Sequence, residues 1–264
     1  MSSGPQRITA AGNPLLVQLR RLIRDPGAYR RLGEVWLEGD HLCEACLARG
    51  RTPLRAVVSE SGWSDARLRA LAQSAPRVAI VADALFAQLS GLESPARIGF
   101  LLEVPAAAPL QDGVATAVLD RLQDAGNVGS ILRSAAALGV AQVVALEGTA
   151  GLWSPKVLRA GMGAHFALRL VERATLADLD ALTLPLVATS SHAGPGLDEG
   201  ALPLPSPCAW VLGHEGQGVD PALLQRCRET RRIPQPGGEE SLNVAAAAAI
   251  CFYESLCQRR HTSA

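Results

Sequence analysis

The chain has 264 residues and a formal net charge of zero, with 48% hydrophobic and 19% charged residues. This composition supplies a substantial core and excludes global disorder. No apolar run is long enough to span a membrane, and the first residues lack the apolar stretch of a signal peptide. We therefore expect a cytoplasmic protein without membrane contact.

The first segment alternates strand and helix patterns. A helix is predicted over Asn13–Arg24, where the apolar side chains share one face. Strands are predicted at 33–39, 54–60, 77–83 and 97–104, and further helices at 40–49, 64–74 and 84–92. This alternation is typical of a compact α/β domain, which we place at residues 1–105.

Positive charge is concentrated at the start of the chain, because residues 1–33 contain six arginines against a single acid. Such a basic end suits contact with a phosphate backbone. The alternative is a solvated helix face. The candidate RNA-binding residues are Arg20, Arg21, Arg24, Arg30 and Arg31.

Six cysteines are present, and Cys43 and Cys46 have the spacing of a metal or redox pair. A structural zinc site needs two further ligands at suitable spacing. The surrounding segment also fits an amphipathic helix that would bury both thiols as small core residues. We therefore expect free thiols with a structural role and no bound metal.

Residues 106–113 are predicted to be a linker, since they combine proline and alanine without periodicity. The second domain is predicted at 114–264, with strands at 116–122, 141–147, 167–172, 184–190, 208–213 and 229–234. These strands are nearly continuously apolar, as in an open, mainly parallel sheet buried on both faces. A last helix is predicted from Ser241 to about Arg259, and its run of alanines allows close approach of a sheet or another subunit.

The first motif, at 124–140, follows a predicted strand and opens a helix. Asn127, Gly129 and Arg133 fit a ligand-facing position, since Gly129 and Arg133 share one helix face. In the alternative, Asn127 caps the helix, Gly129 belongs to a turn and Arg133 is a surface cation. The glycines also resemble a degraded dinucleotide-binding fingerprint, although G-x-G-x-x-G is not present.

The second motif, at 210–220, places Gly213, Gly216 and Gly218 between a strand and a helix. Glycines this close together indicate a backbone pressed against a neighbour. No G-K-[ST] follows, so a P-loop is excluded. The carboxylate of Glu215 suits a sugar hydroxyl, an amine or a cationic ligand better than a phosphate, and the alternative is a tight turn with an exposed acid.

The third motif, at 231–250, contains a strand end at Ile233, a loop rich in proline and glycine, and a helix start near Asn243. The side chains of Ser241 and Asn243 either cap that helix or point into the site formed by the glycine loop.

Together these segments resemble the SpoU family of RNA 2′-O-ribose methyltransferases, within the SPOUT superfamily. N-x-G-x-x-x-R at 127–133, L-G-x-E-x-x-G at 212–218 and I-P-x-x-G-x-x-x-S-L-N-V at 233–244 are similar to its three motifs and occur in the same order. The first segment is similar to the substrate-binding domain that precedes many such catalytic domains. The chain departs from the family at Gly161, where a serine is usual, and this affects substrate detail more than reaction type.

The resemblance implies an α/β catalytic domain with a deep trefoil knot and S-adenosylmethionine as cofactor. The donor-binding residues that it implies are Thr189, Gly213, Gly218, Ile233 and Leu242. The catalytic residues that it implies are Arg133, Asn127, Glu215, Ser241 and Asn243. Arginine stays protonated in proteins, so Arg133 is expected to grip a phosphate and stabilise the emerging alkoxide, with a base role as the alternative.

The resemblance also implies a homodimer with the C-terminal helix in its interface, and RNA as the partner. The additional first domain favours ribosomal over transfer RNA. A non-catalytic RNA-binding protein on the same fold is one alternative, but it has no reason to keep all five polar motif residues. A nucleotide-dependent oxidoreductase is another, and it leaves the second and third motifs unexplained.

Overall fold

The computed structural model describes residues 4–90, 95–198, 203–237 and 241–262. Contacts within the chain divide it into two compact units. The first unit comprises residues 1–106 together with 153–166, and the second comprises 107–152 together with 167–264.

Both units alternate strands with helices, as α/β proteins do. The strands, in chain order, are β1 (Gln6–Ile8), β2 (Glu34–Glu38), β3 (Arg55–Ser59), β4 (Val78–Val81), β5 (Ile98–Glu103), β6 (Thr116–Leu119), β7 (Gln142–Leu146), β8 (Arg169–Ala174), β9 (Leu186–Ser190), β10 (Ala209–Leu212) and β11 (Glu229–Arg232). The helices are α1 (Pro14–Arg24), α2 (Ala28–Leu32), α3 (Asp40–Ala48), α4 (Glu60–Ser64), α5 (Ala66–Gln73), α6 (Asp83–Ala87), α7 (Ala125–Ala137), α8 (Pro155–Gly161), α9 (Pro221–Leu224) and α10 (Val244–Thr262).

The sheet of the first unit has the strand order β1-β4-β3-β5-β2. Strand β4 is parallel to β1 and β3, whereas β5 is antiparallel to β3 and β2. Helix α1 begins where the Asn13 side chain accepts a hydrogen bond from the backbone N–H of Leu15, at 3.0 Å. It buries Leu16, Leu19 and Leu22, so the apolar face expected from the sequence attaches this helix to the core.

Strand β1 and the helices α2 and α4 of the first unit were not predicted, because each is too short to show periodicity. Strand β1 has three residues and forms by parallel pairing of Gln6–Ile8 with β4. Helix α2 has five residues and ends at Gly33, whose φ of +68° is a left-handed conformation that glycine adopts without strain.

Helix α3 confirms the helix predicted at 40–49. Its Cys43 and Cys46 are buried, free thiols. Burial raises the pKa of Cys46 to about 11, so this thiol stays protonated and unreactive at neutral pH.

The sheet of the second unit has the order β11-β9-β10-β6-β7-β8, and its described strand pairs are all parallel. The predicted α/β fold with a mainly parallel sheet is therefore confirmed. Strand β6 lies between β7 and β10. After β6 the chain adds β7 and β8 on one side of this strand, and β9, β10 and β11 then form the other side of the sheet. At such a switch point the loops after the two central strands diverge and leave a crevice.

Helix α10 closes the second unit. It buries Ala248, Cys251 and Phe252, while Ile250 and Tyr253 remain 40% and 59% exposed. Across the described residues, no helix combines the length and the apolar character that a membrane span requires.

Candidate active site

An open cleft of about 640 Å³ lies at the carboxyl ends of β9, β10 and β11. Its walls are formed by those strand ends, the loops that follow them and the start of α10. The residues predicted to bind the methyl donor all line this cleft: Thr189, Gly213, Gly218, Ile233 and Leu242.

The glycines after β10 allow the 213–218 loop to fold back on itself. His214 N–H donates to the Gly218 carbonyl at 3.0 Å, and Gly218 N–H donates to the His214 carbonyl at 2.8 Å. A Cβ on Gly213 would overlap the backbone nitrogen of Val219, and Gly218 has a φ of +71°. The backbone that presses against Gly213 is therefore the loop's own, rather than that of another element.

Glu215 extends from this loop to the first turn of α7. Its carboxylate accepts hydrogen bonds from Gln123 N–H at 3.3 Å, Asp124 N–H at 3.2 Å and the Asn127 amide at 3.2 Å. Partial burial raises the pKa of Glu215, but hydrogen-bond donors, its own backbone N–H included, outweigh this effect and hold the pKa below its usual value. The side chain is an ionised anchor at a helix N-terminus, where negative charge is favoured.

Asn127 joins this anchor to the start of α10. Its carbonyl oxygen accepts a hydrogen bond from the Asn243 amide at 3.0 Å, and Asn243 accepts one from Ala245 N–H at 2.9 Å. Asn243 thus caps α10 and faces the site at the same time. The interpretation of Asn127 as the cap of α7 is wrong, because Asp124 accepts from Asn127 N–H at 2.9 Å and fills that position.

Arg133 and Ser241 are placed differently from these three residues. Ser241 lines the cleft and is exposed. Arg133 is exposed on α7, does not line the cleft, and forms no hydrogen bond or ion pair with any residue that the structure describes. Gly129 is buried within α7 and is not a turn residue. Glu239 and Glu240, between Ile233 and Ser241, lie outside the described residues.

A second network supports the other side of the glycine loop, and sequence reasoning missed it. Asp120 is 2% exposed and accepts hydrogen bonds from Arg121 Nε at 2.9 Å and Asp220 N–H at 2.7 Å. Arg121 has a φ of +57° and donates to the Gln217 side chain at 3.3 Å. The sequence signal for this network was the charged pair Asp120-Arg121 directly after an apolar run. The prediction included both residues in the strand at 116–122, whereas β6 ends at Leu119.

Part of the cleft wall is apolar. Ile233 and Leu242 present apolar surface, and Leu242 is 40% exposed although it lines the wall. The Thr189 hydroxyl donates to the Val211 carbonyl at 3.0 Å, so it holds β9 to β10.

The described residues contain no cluster of three or more His, Cys, Asp or Glu side chains able to hold a metal.

The arginines predicted to contact RNA lie in the first unit. Arg20 donates to the Ala11 carbonyl at 2.8 Å, and Arg31 forms an ion pair with Asp25. Arg30 stacks over the Tyr29 ring at 4.9 Å. The other two members, Arg21 and Arg24, are exposed on α1.

A parallel sheet with a glycine loop and a polar network at its switch point defines an α/β enzyme of the kind that binds a nucleoside-containing ligand. The sequence profile of the SpoU rRNA Methylase family matches residues 115–253. The chain belongs to this family, and the predicted family and class of enzyme are confirmed.

Relatives support the assignment over the whole chain. An uncharacterized tRNA/rRNA methyltransferase of Synechocystis sp. is 32% identical, with 98% of this chain and 96% of that protein covered. The 23S rRNA (guanosine(2553)-2′-O)-methyltransferase RlmP of Bacillus subtilis is 31% identical over 82% of this chain and 86% of its own. The structure of the SpoU methyltransferase AviRb from Streptomyces viridochromogenes, in complex with AdoMet, has a TM-score of 0.86 at 25% identity and covers 94% of this chain and 98% of that one.

Proposed function

We propose that this protein transfers a methyl group from S-adenosylmethionine to a ribose 2′-hydroxyl of ribosomal RNA. The observation that carries the proposal is that the second and third motifs line one cleft, and that Asn127 of the first motif is hydrogen-bonded to both through Glu215 and Asn243. The chain is a member of the SpoU family. The RlmP relative is named for this reaction on 23S rRNA, which favours ribosomal over transfer RNA. The expected cofactor is confirmed by AviRb, a family member solved with AdoMet.

The chain's residues fit the donor as follows. Backbone groups of Gly213, Ile233 and Leu242 hold the adenosine, and the apolar side chains of the last two contact the base. Gly218 keeps the loop closed and Thr189 fixes the opposite strand end. When bound, S-adenosylmethionine supplies a sulfonium methyl group that is open to in-line displacement.

The acceptor side depends on positioning, because a ribose hydroxyl is a very weak acid. Glu215 is already committed to three hydrogen-bond donors, so it orients Asn127 and the start of α7 rather than accepting the ribose proton. Asn127, Ser241 and Asn243 orient the ribose. Arg133 is exposed and unpaired among the described residues. It grips the adjacent phosphate and stabilises the emerging alkoxide, while the hydroxyl proton passes to solvent water.

The test is methyl transfer from labelled S-adenosylmethionine to separated ribosomal and transfer RNA from a strain that lacks this gene. Arg133→Ala should lower single-turnover transfer by about 100-fold or more, on the scale of lost oxyanion stabilisation. Arg228→Ala, which removes another exposed arginine of the same unit, is the matched control and should keep the normal rate. Normal transfer by Arg133→Ala would remove Arg133 from the mechanism.

The remaining proposals concern assembly. Residues 1–105 form the RNA substrate-binding domain, 106–113 a linker and 114–264 the catalytic domain, threaded as a trefoil knot. Two copies associate through α10, which leaves Ile250 and Tyr253 exposed in the single chain. We propose that the protein acts in the cytoplasm. A monomeric mass in solution at micromolar concentration would contradict the dimer.

A further inference from the structure

The His214 side chain closes the 213–218 loop from within. Its Nδ1 atom accepts a hydrogen bond from Gly216 N–H at 3.0 Å and another from Gln217 N–H at 3.2 Å. The backbone of His214 meanwhile exchanges two hydrogen bonds with Gly218. One residue therefore satisfies three successive N–H groups of this loop.

This geometry favours one tautomer of the neutral imidazole. An imidazole nitrogen accepts hydrogen bonds only through a lone pair, so Nδ1 is unprotonated and the proton of the neutral ring lies on Nε2. If Nδ1 gained a proton, its N–H group would face the N–H groups of Gly216 and Gln217, and none of the three could accept a hydrogen bond. Asparagine offers the same connectivity without this restriction, because its side-chain oxygen accepts from the N–H groups two and three residues further on.

The loop that His214 closes serves both halves of the site. Gly213 and Gly218 line the cleft, and Glu215 holds Asn127 at the start of α7. We infer that His214 is a positioning residue whose neutral imidazole keeps the 213–218 loop closed, so that protonation of His214 weakens binding of the methyl donor. This inference rests on the proposed function, because it takes the cleft as the donor site.

The charged and titratable neighbours of His214 in the described part of the chain are few. Glu215 follows it in the loop, and His192 and Arg231 line the same cleft. Arg121 contacts the loop through the Gln217 side chain. Because its hydrogen-bond donors hold the pKa of Glu215 below the usual value, this carboxylate stays ionised at pH 5.5 and does not titrate together with a histidine.

The experiment measures S-adenosylmethionine affinity by calorimetry at pH 8 and pH 5.5, a range in which histidine side chains change charge. Wild-type affinity should be lower at pH 5.5 than at pH 8, because a proton on Nδ1 removes two hydrogen bonds of about 1 kcal/mol each. His214→Asn should bind within about threefold of wild type at pH 8 and stay nearly constant. His214→Ala should bind about tenfold more weakly at both values. His41→Asn, at an exposed histidine of α3, should keep the wild-type profile.

A second measurement does not depend on the donor. The Gly216 and Gln217 amide resonances of the ligand-free protein should shift between pH 8 and 5.5 in wild type and stay fixed in His214→Asn. If wild type binds no donor while these resonances titrate as expected, the proposed function fails and the role of His214 in closing the loop stands. His214→Asn with the wild-type pH dependence, or His214→Ala with wild-type affinity and amide shifts, would overturn the inference.

Discussion

The two sheets of this protein collect polar side chains in different ways. In the second unit all described strand pairs are parallel, so loops after β6, β10 and β11 meet and their polar groups bond to one another, as Glu215, Asn127 and Asn243 do. In the first unit the arginines are spread along α1 and α2 and bond to local partners such as Asp25. Single substitutions should therefore have large effects in the second unit, whereas effects in the first should be small and cumulative.

The largest effect is expected at Gly213. In Gly213→Ala, the new Cβ overlaps the backbone of Val219, so the loop cannot close and S-adenosylmethionine affinity should fall by at least about 100-fold. Gly216→Ala is the matched control, since its Cβ meets no atom closer than 3.8 Å. Equal affinities of the two variants by calorimetry would show that loop closure is not needed for binding.

The next effect is on stability. Asp120→Ala removes a buried carboxylate that serves Arg121 and Asp220 N–H, and it should lower the free energy of unfolding by about 3 kcal/mol in denaturant titrations. Glu147→Ala removes an exposed partner of Arg173, at 3.8 Å, and should cost about 0.5 kcal/mol or less. Similar losses of unfolding free energy for the two variants would show that the hydrogen bonds of Asp120 with Arg121 and Asp220 do not stabilise the fold.

A smaller effect is expected in the pH dependence of stability. The folded-state pKa of Glu215 is lowered from 4.5, so its stabilising contribution is present above that pH and is lost as the pH falls through the folded-state value. The difference in unfolding free energy between wild type and Glu215→Gln should therefore shrink from pH 6 towards pH 3. A difference that is constant over this range would show that the carboxylate charge does not contribute.

The smallest effect is expected in the first unit. Arg21→Gln should weaken RNA binding by only a few-fold, and it should reduce the slope of log affinity against log salt concentration by about 1. Arg49→Gln changes an exposed arginine that is not one of the candidate RNA-binding residues, and it should leave that slope unchanged. A wild-type slope for Arg21→Gln would show that Arg21 does not contact phosphate.

The same contrast explains what the sequence could predict. All six strands of the second sheet were predicted. Apolar runs bounded by turns mark the inner strands such as β6, β7 and β10, which are buried, whereas the edge strands β8 and β11 are only partly buried. The residues predicted to bind the methyl donor were found through motifs rather than periodicity, and they line one cleft. The roles of Asp120 and His214 were missed because they depend on a strand end and on a loop closing on itself, and neither leaves a periodic pattern.

The sequence also did not predict which distant segments of the chain pack together. The segment 153–166 packs with the first unit, where a Cβ on Gly163, whose φ is +87°, would crowd Ala45. No local pattern in the sequence indicates that a stretch near residue 160 packs against a helix near residue 45.

The hydrogen bonds of the polar network also set an order of events during synthesis. Glu215 meets Asn127 across 88 positions of the chain, and Asn243 meets Asn127 across 116. Contacts of such long range form late in folding, because large loops must close first. As the chain is synthesised, β6 and α7 are therefore made well before their partners. The cleft beside the 213–218 loop gains its last wall only when the start of α10 has emerged from the ribosome.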